Sequence, residues 1–233
     1  MTAPRGAHAP PAVAVVTAVK SLDAAKSRFA APGGDLRDAV PGLVLAMLRD
    51  TLAAAFATPG VVRAYVVSPD PTVRAAALDA GARAVAEPVR GGLNAALEAG
   101  AAAALAEDGT VAVLALQPDL PGVTPGELAA FLAAAGPRRA FVPDHAGVGT
   151  AALLAPAGRA LRPEFGIDSA AAHRASGARP HPGPWPGLRT DIDTPADLSA
   201  ARSLGRHTAA ALGRANHDAA RAADSDIASN SCG

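Results

Sequence analysis

A chain of 233 residues, half of them hydrophobic, is long enough to bury one core without disulfide or metal staples. Its 21 basic side chains balance 21 acidic ones, which argues against a broad nucleic-acid or membrane-surface footprint. The single cysteine, Cys232, excludes a disulfide scaffold and a cysteine zinc cluster, and suits a reducing cytoplasm.

In chain order, residues 1–11 read as a flexible leader. Ala12–Val19 is a short Val-rich run between two prolines and Lys20. It fits a buried parallel strand better than a secretory signal. Similar runs follow at Val61–Val67, Val111–Leu116, Arg139–Val142 and Thr150–Leu154. Helical stretches are expected at Leu43–Ala57, Val73–Ala80, Leu93–Ala106 and Pro125–Ala135. Asp70-Pro71, Thr124-Pro125 and Thr194-Pro195 each set a capping side chain before a proline at the first helical position. Alternating strands and helices predict an α/β fold, a mostly parallel sheet flanked by helices, in one domain over residues 12–205. Residues 206–233 have little apolar periodicity and read as a mostly disordered tail. No apolar run approaches the roughly 20 residues that span a bilayer.

Nineteen of the 21 cations are Arg, and the only lysines are Lys20 and Lys26. Both fall, with Arg28, in the loop after the first strand, the usual ligand crevice of an open α/β sheet. Three cations there suggest a phosphate-binding loop. Asp119 ends the strand at Val111–Leu116, where a carboxylate can hold magnesium together with substrate phosphates. Asp191 and Asp193 point to one side of an extended segment and suit a metal. Asp191 is the preferred ligand, because Asp193 has the competing task of supporting the Thr194 cap. Gly91-Gly92-Leu93-Asn94 offers close backbone approach and an amide to a ligand, or simply starts a helix.

Gly147-Val148-Gly149-Thr150 is expected to expose backbone N–H groups and the Thr150 hydroxyl to an anion. A second small anion site is expected at Phe165-Gly166-Ile167-Asp168-Ser169, with Asp168 or Ser169 capping a helix through His173. His145, His173 and His181 lack metal-ligand spacing and read as surface or satisfied polar residues. A P-loop lysine motif and a G-x-S-x-G elbow are both missing from the sequence.

These pieces together resemble the phosphoenolpyruvate and 2-phospho-L-lactate guanylyltransferases of coenzyme F-420 biosynthesis. The resemblance rests on Val19-Lys20-Ser21-Leu22-Asp23-Ala24-Ala25-Lys26-Ser27-Arg28, Met47-Leu48-Arg49-Asp50, Val66-Val67-Ser68-Pro69-Asp70, Gly92-Leu93-Asn94-Ala95-Ala96-Leu97, Asp119-Leu120-Pro121, Gly149-Thr150, Phe165-Gly166 with Ser169, and Asp191-Ile192-Asp193-Thr194-Pro195. It implies a Rossmann-like nucleotidyltransferase-A-type fold. It implies transfer of GMP from GTP to the phosphate of phosphoenolpyruvate, and a product passed to the next enzyme of the pathway.

By motif, Thr150, Gly166 and Ser169 would hold the acceptor. Asp119 and Asp191, with Asp193, would hold Mg2+. Lys20, Lys26, Arg28, Gly92, Leu93 and Asn94 would hold GTP. The sequence departs from the family in two places. Pro118 precedes Asp119 where Ala is usual, and His145–Thr150 replaces an Asp-Gly-x-Gly-Thr turn, with Asp144 displaced.

The same chemistry on 2-phospho-L-lactate, 3-phosphoglycerate or a pterin phosphate is open from the sequence. A nucleotide-sugar glycosyltransferase would also need carboxylates, often as one D-x-D. A non-catalytic nucleotide-binding module would keep the sheet and lose either the carboxylates or the cations.

Overall fold

The computed structural model describes residues 12–23, 39–201, 203–215 and 217, apart from the side chains of residues 195 and 200. Lys26 and Arg28, and the leader at 1–11, lie outside the described residues.

Seven strands form one sheet: β1 (Val13–Ala18), β2 (Val61–Ser68), β3 (Arg83–Ala86), β4 (Ala112–Leu116), β5 (Ala140–Pro143), β6 (Thr150–Ala155) and β7 (Arg179–Pro180). Their order is β3-β2-β1-β4-β6-β5-β7. β1 to β4 run parallel, and β6 runs antiparallel to both β4 and β5. The expected mostly parallel sheet is therefore present, with one reversed strand set into it.

The helices are α1 (Val40–Phe56), α2 (Pro71–Asp79), α3 (Gly92–Glu107), α4 (Pro125–Ala135), α5 (Ser169–Ala175), α6 (Pro186–Arg189), α7 (Pro195–Ala200) and α8 (206–215). The three predicted caps form. Asp70 accepts from the Thr72 backbone N–H, and Thr124 and Thr194 make capping boxes with Glu127 and Asp197.

Two cores sandwich the sheet because strand side chains alternate between its faces. Val13 and Val15 join Leu48, Leu52, Leu114 and Phe131 on one face. Ala14 and Val16 join Leu97, Phe141 and Leu153 on the other. Each fully buried Leu or Phe contributes roughly 2 kcal/mol of burial free energy. The Ala-rich character of α3 has a packing reason. Ala96, Gly100 and Ala104 form a buried stripe, and a Cβ at Gly100 would meet Val16 Cγ1 at 2.5 Å. The helix thus lies close against β1 and β2.

The stretch read as a tail opens with a helix. Residues 206–215 are helical, because a partner far away in the chain caps them. The buried Asp50 carboxylate accepts from His207 N at 3.0 Å and Thr208 N at 2.8 Å. A side chain at Gly205 would run into that carboxylate. Residues 218–233 lie outside the described residues. No helix among the described residues is long and apolar enough to cross a membrane.

Candidate active site

A cavity of about 570 Å³ opens at the C-terminal ends of β1 and β4, where open α/β sheets bind ligands. Its volume lies in the range of small-molecule sites. Eight of the candidate site residues line it: Lys20, Leu93, Asp119, Thr150, Gly166, Ser169, Asp191 and Asp193. They come from six separate stretches of chain. Gly92 and Asn94 sit beside this lining at the start of α3 rather than in it.

The Lys20 side is set by β1 and by Asp70. After β1, the Val19 N–H donates to Val67 O at 2.9 Å, extending the strand pairing by one residue. Asp70 then works in two directions. Its Oδ1 caps α2 through Thr72 N at 2.8 Å, while its Oδ2 accepts from Leu22 N at 3.0 Å. The Leu22 N–H, foremost, holds the Asp70 carboxyl below its ordinary pKa. One carboxylate therefore anchors the base of the Lys20 loop.

The carboxylate side is built by a backbone clasp. Ile192 N donates to Asp119 O at 3.0 Å, which lays the Asp191–Asp193 segment beside the end of β4. Thr51 Oγ1 of α1 donates to Pro118 O at 3.2 Å and fixes the same strand end. Asp193 donates its backbone N–H to Asp197 Oδ2 at 3.2 Å, so the α7 cap is formed by Thr194 and Asp197.

Burial raises the Asp191 pKa above its ordinary value. The negative charges of Asp193 and Asp144 push it the same way, against the Asp191 backbone N–H and His145. Hard oxygen donors in such a charge-dense pocket suit a hard divalent cation such as magnesium. Among the described residues, no three His, Cys, Asp or Glu side chains converge to hold an ion by themselves. The donor set therefore fits a cation that also takes oxygens from a substrate phosphate.

The acceptor side differs from expectation in two ways. The N–H groups of Gly147, Val148 and Gly149 are used within the 144–149 turn. Val148 N and Gly149 N donate to the Asp144 carboxylate at 3.0 and 2.8 Å, and Gly147 N donates to Asp144 O. Asp144, displaced in sequence, fills the middle of the turn, and Gly149 leaves room for it. A Cβ there would stand 2.5 Å from Asp144 Oδ2. Arg189 braces the turn by donating to Pro143 O and Asp144 O at 3.1 and 2.8 Å. Thr150 lines the cavity, and its hydroxyl lies 2.9 Å from His173 Nδ1.

Nor does α5 receive the expected side-chain cap. Asp168 stands at its N-cap with φ +55° and makes no capping bond. A residue in the left-handed region cannot swing its side chain back to the first-turn N–H groups as an extended N-cap does. Ala170 N donates instead to Val148 O at 3.0 Å, which joins α5 to the turn. Gly166, with φ +145°, supplies a backbone conformation that side chains disfavour.

Asn94 also has a structural duty that its sequence position did not reveal. Its Nδ2 donates to Phe165 O at 3.0 Å, and its Oδ1 accepts from Phe165 N at 2.8 Å. It thereby ties α3 to the residue preceding Gly166.

A family model for the MobA-like NTP transferase domain matches residues 45–189. The chain is 50% identical over 204 residues to a phosphoenolpyruvate guanylyltransferase of Nocardia farcinica, covering 84% of this chain and 88% of that one. It is 48% identical over 205 residues to a phosphoenolpyruvate guanylyltransferase of Rhodococcus erythropolis, covering 82% and 90%. Its fold is similar to that of a crystallised Desulfovibrio desulfuricans protein assigned to the nucleotide-diphospho-sugar transferases. That match has a TM-score of 0.65 at 14% identity and covers 88% and 95% of the two chains. With half its residues shared along most of its length, the chain belongs to the phosphoenolpyruvate guanylyltransferase family, within the MobA-like NTP transferases.

Proposed function

We propose that this chain transfers GMP from GTP to the phosphate of phosphoenolpyruvate, releasing pyrophosphate and forming enolpyruvoyl-diphospho-guanosine for coenzyme F-420 biosynthesis. The observation that carries this reading is that one cavity is lined by three sets of residues: Lys20, the acidic Asp119, Asp191 and Asp193, and the trio Thr150, Gly166 and Ser169. Family membership at 50% identity supports the same chemistry.

In this reading, an acceptor phosphate oxygen attacks the α-phosphorus of GTP in line. The new O–P bond forms as the bond from the α-phosphorus to the bridging oxygen breaks, and pyrophosphate leaves with that electron pair. No general base is required, because the attacking phosphate is already ionised at neutral pH. The obstacle is the approach of two anions. Lys20 places positive charge on the triphosphate, and Lys26 and Arg28 join it there. Gly92, Leu93 and Asn94 serve the nucleoside, while Asn94 also holds Phe165. Thr150, Gly166 and Ser169 orient the acceptor.

Asp119 and Asp191, with Asp193 beside them, would hold Mg2+. That ion supplies charge neutralisation on phosphate oxygens. The protein works in the cytoplasm, and its product is handed to the next enzyme of the pathway.

Mass spectrometry of products from GTP with phosphoenolpyruvate, 2-phospho-L-lactate and 3-phosphoglycerate tests the reading. The expected product is the guanylylated enolpyruvate. A guanylylated lactate or glycerate alone would move the activity to that acceptor, and sugar transfer without pyrophosphate would move it to another class.

A further inference from the structure

His173 is fully buried in α5, and its ring contacts Thr150 and the Glu164–Phe165 stretch that leads to Gly166. Its Nδ1 lies 2.9 Å from Thr150 Oγ1. Its Nε2 accepts from the Glu164 backbone N–H at 2.9 Å, two residues before Gly166. Ser169 sits one helical turn before it, at the start of the same helix. Phe165 packs edge-on against the imidazole with centroids 5.0 Å apart, and Phe141 covers it at 5.7 Å.

The partners fix the proton on the ring. A backbone N–H can only donate, so Nε2 carries the lone pair. Burial, reinforced by the nearby Arg139 charge, lowers the His173 pKa to about 4, so the ring is neutral at pH 7. The single ring proton then resides on Nδ1. An Nδ1–H cannot accept from the Thr150 hydroxyl; it donates to Thr150 Oγ1. Thr150 therefore keeps its own hydroxyl hydrogen, and Thr150 lines the cavity.

We propose that His173 is a positioning residue. Locked in its Nδ1–H form by the Glu164 backbone, it aims the Thr150 hydroxyl hydrogen at an anionic oxygen of the acceptor. It thereby sets acceptor affinity from inside the core. This rests on the acceptor assignment above and deepens it. With the opposite tautomer, Nδ1 would take the Thr150 hydrogen, and the cavity would face an acceptor lone pair that repels an anion.

Nitrogen-15 NMR of the histidine-labelled full chain at pH 7 reads the tautomer without any substrate. The expected His173 signal is the neutral Nδ1–H form, and an Nε2–H or doubly protonated ring would overturn the proposal. Kinetics then reads the consequence. His173→Leu, which loses both bonds, should raise the KM for phosphoenolpyruvate at least about 10-fold. It should leave kcat and the KM for GTP within about 2-fold.

His173→Asn, whose amide can still donate from near the Nδ1 position, should recover most of that loss. In a Thr150→Val background, His173→Leu should add nothing further to the acceptor KM. Equal damage to kcat and both KM values, or additive effects in the double variant, would reduce His173 to a packing residue and overturn the proposal. A wild-type chain indifferent to phosphoenolpyruvate would overturn the functional reading and this aim with it. An active wild type carrying the Nε2–H form would overturn this proposal alone.

Discussion

The Ile192 backbone N–H donates to the Asp119 carbonyl at 3.0 Å, joining two acidic segments that lie far apart in sequence. The clasp uses main chain only, so the carboxylates of Asp119 and Asp191 can be changed without undoing it. Asp119→Asn should therefore cut pyrophosphate release by at least about 100-fold, the scale of losing a principal electrostatic contact to the reacting phosphate. Its urea midpoint should stay close to that of the parent. Activity near the parent's level would remove Asp119 from the metal assignment.

Asn94 predicts a split in kinetic constants. Its amide closes both hydrogen bonds on the Phe165 backbone, next to Gly166. Asn94→Ala leaves that N–H and carbonyl without these partners and should cost about 2 kcal/mol of stability. The acceptor KM should rise more than the GTP KM in steady-state assays. The reverse order would place the main role of Asn94 on the nucleotide.

Asp70 allows its two duties to be separated. Asp70→Ser keeps a side-chain oxygen short enough to cap α2 but too short to reach Leu22 N as well. Melting should change little, while the KM for GTP rises on the order of 10-fold as the Lys20 loop loses its anchor. Asp70→Ala should add a cap loss of about 1 kcal/mol. An unchanged GTP KM in both variants would show that the anchor does not position Lys20.

The buried His173 sets a stability-against-pH signature. Its folded pKa of about 4 lies below the usual 6.5, so the unfolded chain binds more protons between those values. The contribution is full above pH 6.5, is lost as pH falls toward 4, and changes no further below that. From pH 7 to pH 5 the wild type should lose about 2 kcal/mol more than His173→Asn in urea unfolding. Parallel pH profiles would contradict the buried neutral ring.

What the sequence discloses, and what it hides, follows from the range of each interaction. Thr124, Thr194 and Asp70 act within three residues of themselves, so their caps are readable from spacing. Val-rich strands are readable because burial on both faces demands apolar runs. β3 is short and partly exposed, and it carries no such run. The cap on α8 comes from Asp50, 157 residues before His207, and no local pattern encodes it.

The site shows the same division. Lys20, Asp119, Asp191 and Thr150 stand at strand ends or in extended segments and were legible. His173 reads as an isolated imidazole because its partners, Glu164 and Thr150, lie 9 and 23 residues away. Asp144 reads as misplaced because its service to Val148 and Gly149 depends on how the turn closes.

The central claim, that one cavity joins GTP to phosphoenolpyruvate, is tested most directly by pyrophosphate release from GTP and magnesium, with and without phosphoenolpyruvate. The account predicts release that depends on phosphoenolpyruvate and matches it mole for mole. Release that ignores phosphoenolpyruvate, or none under either condition, would contradict it.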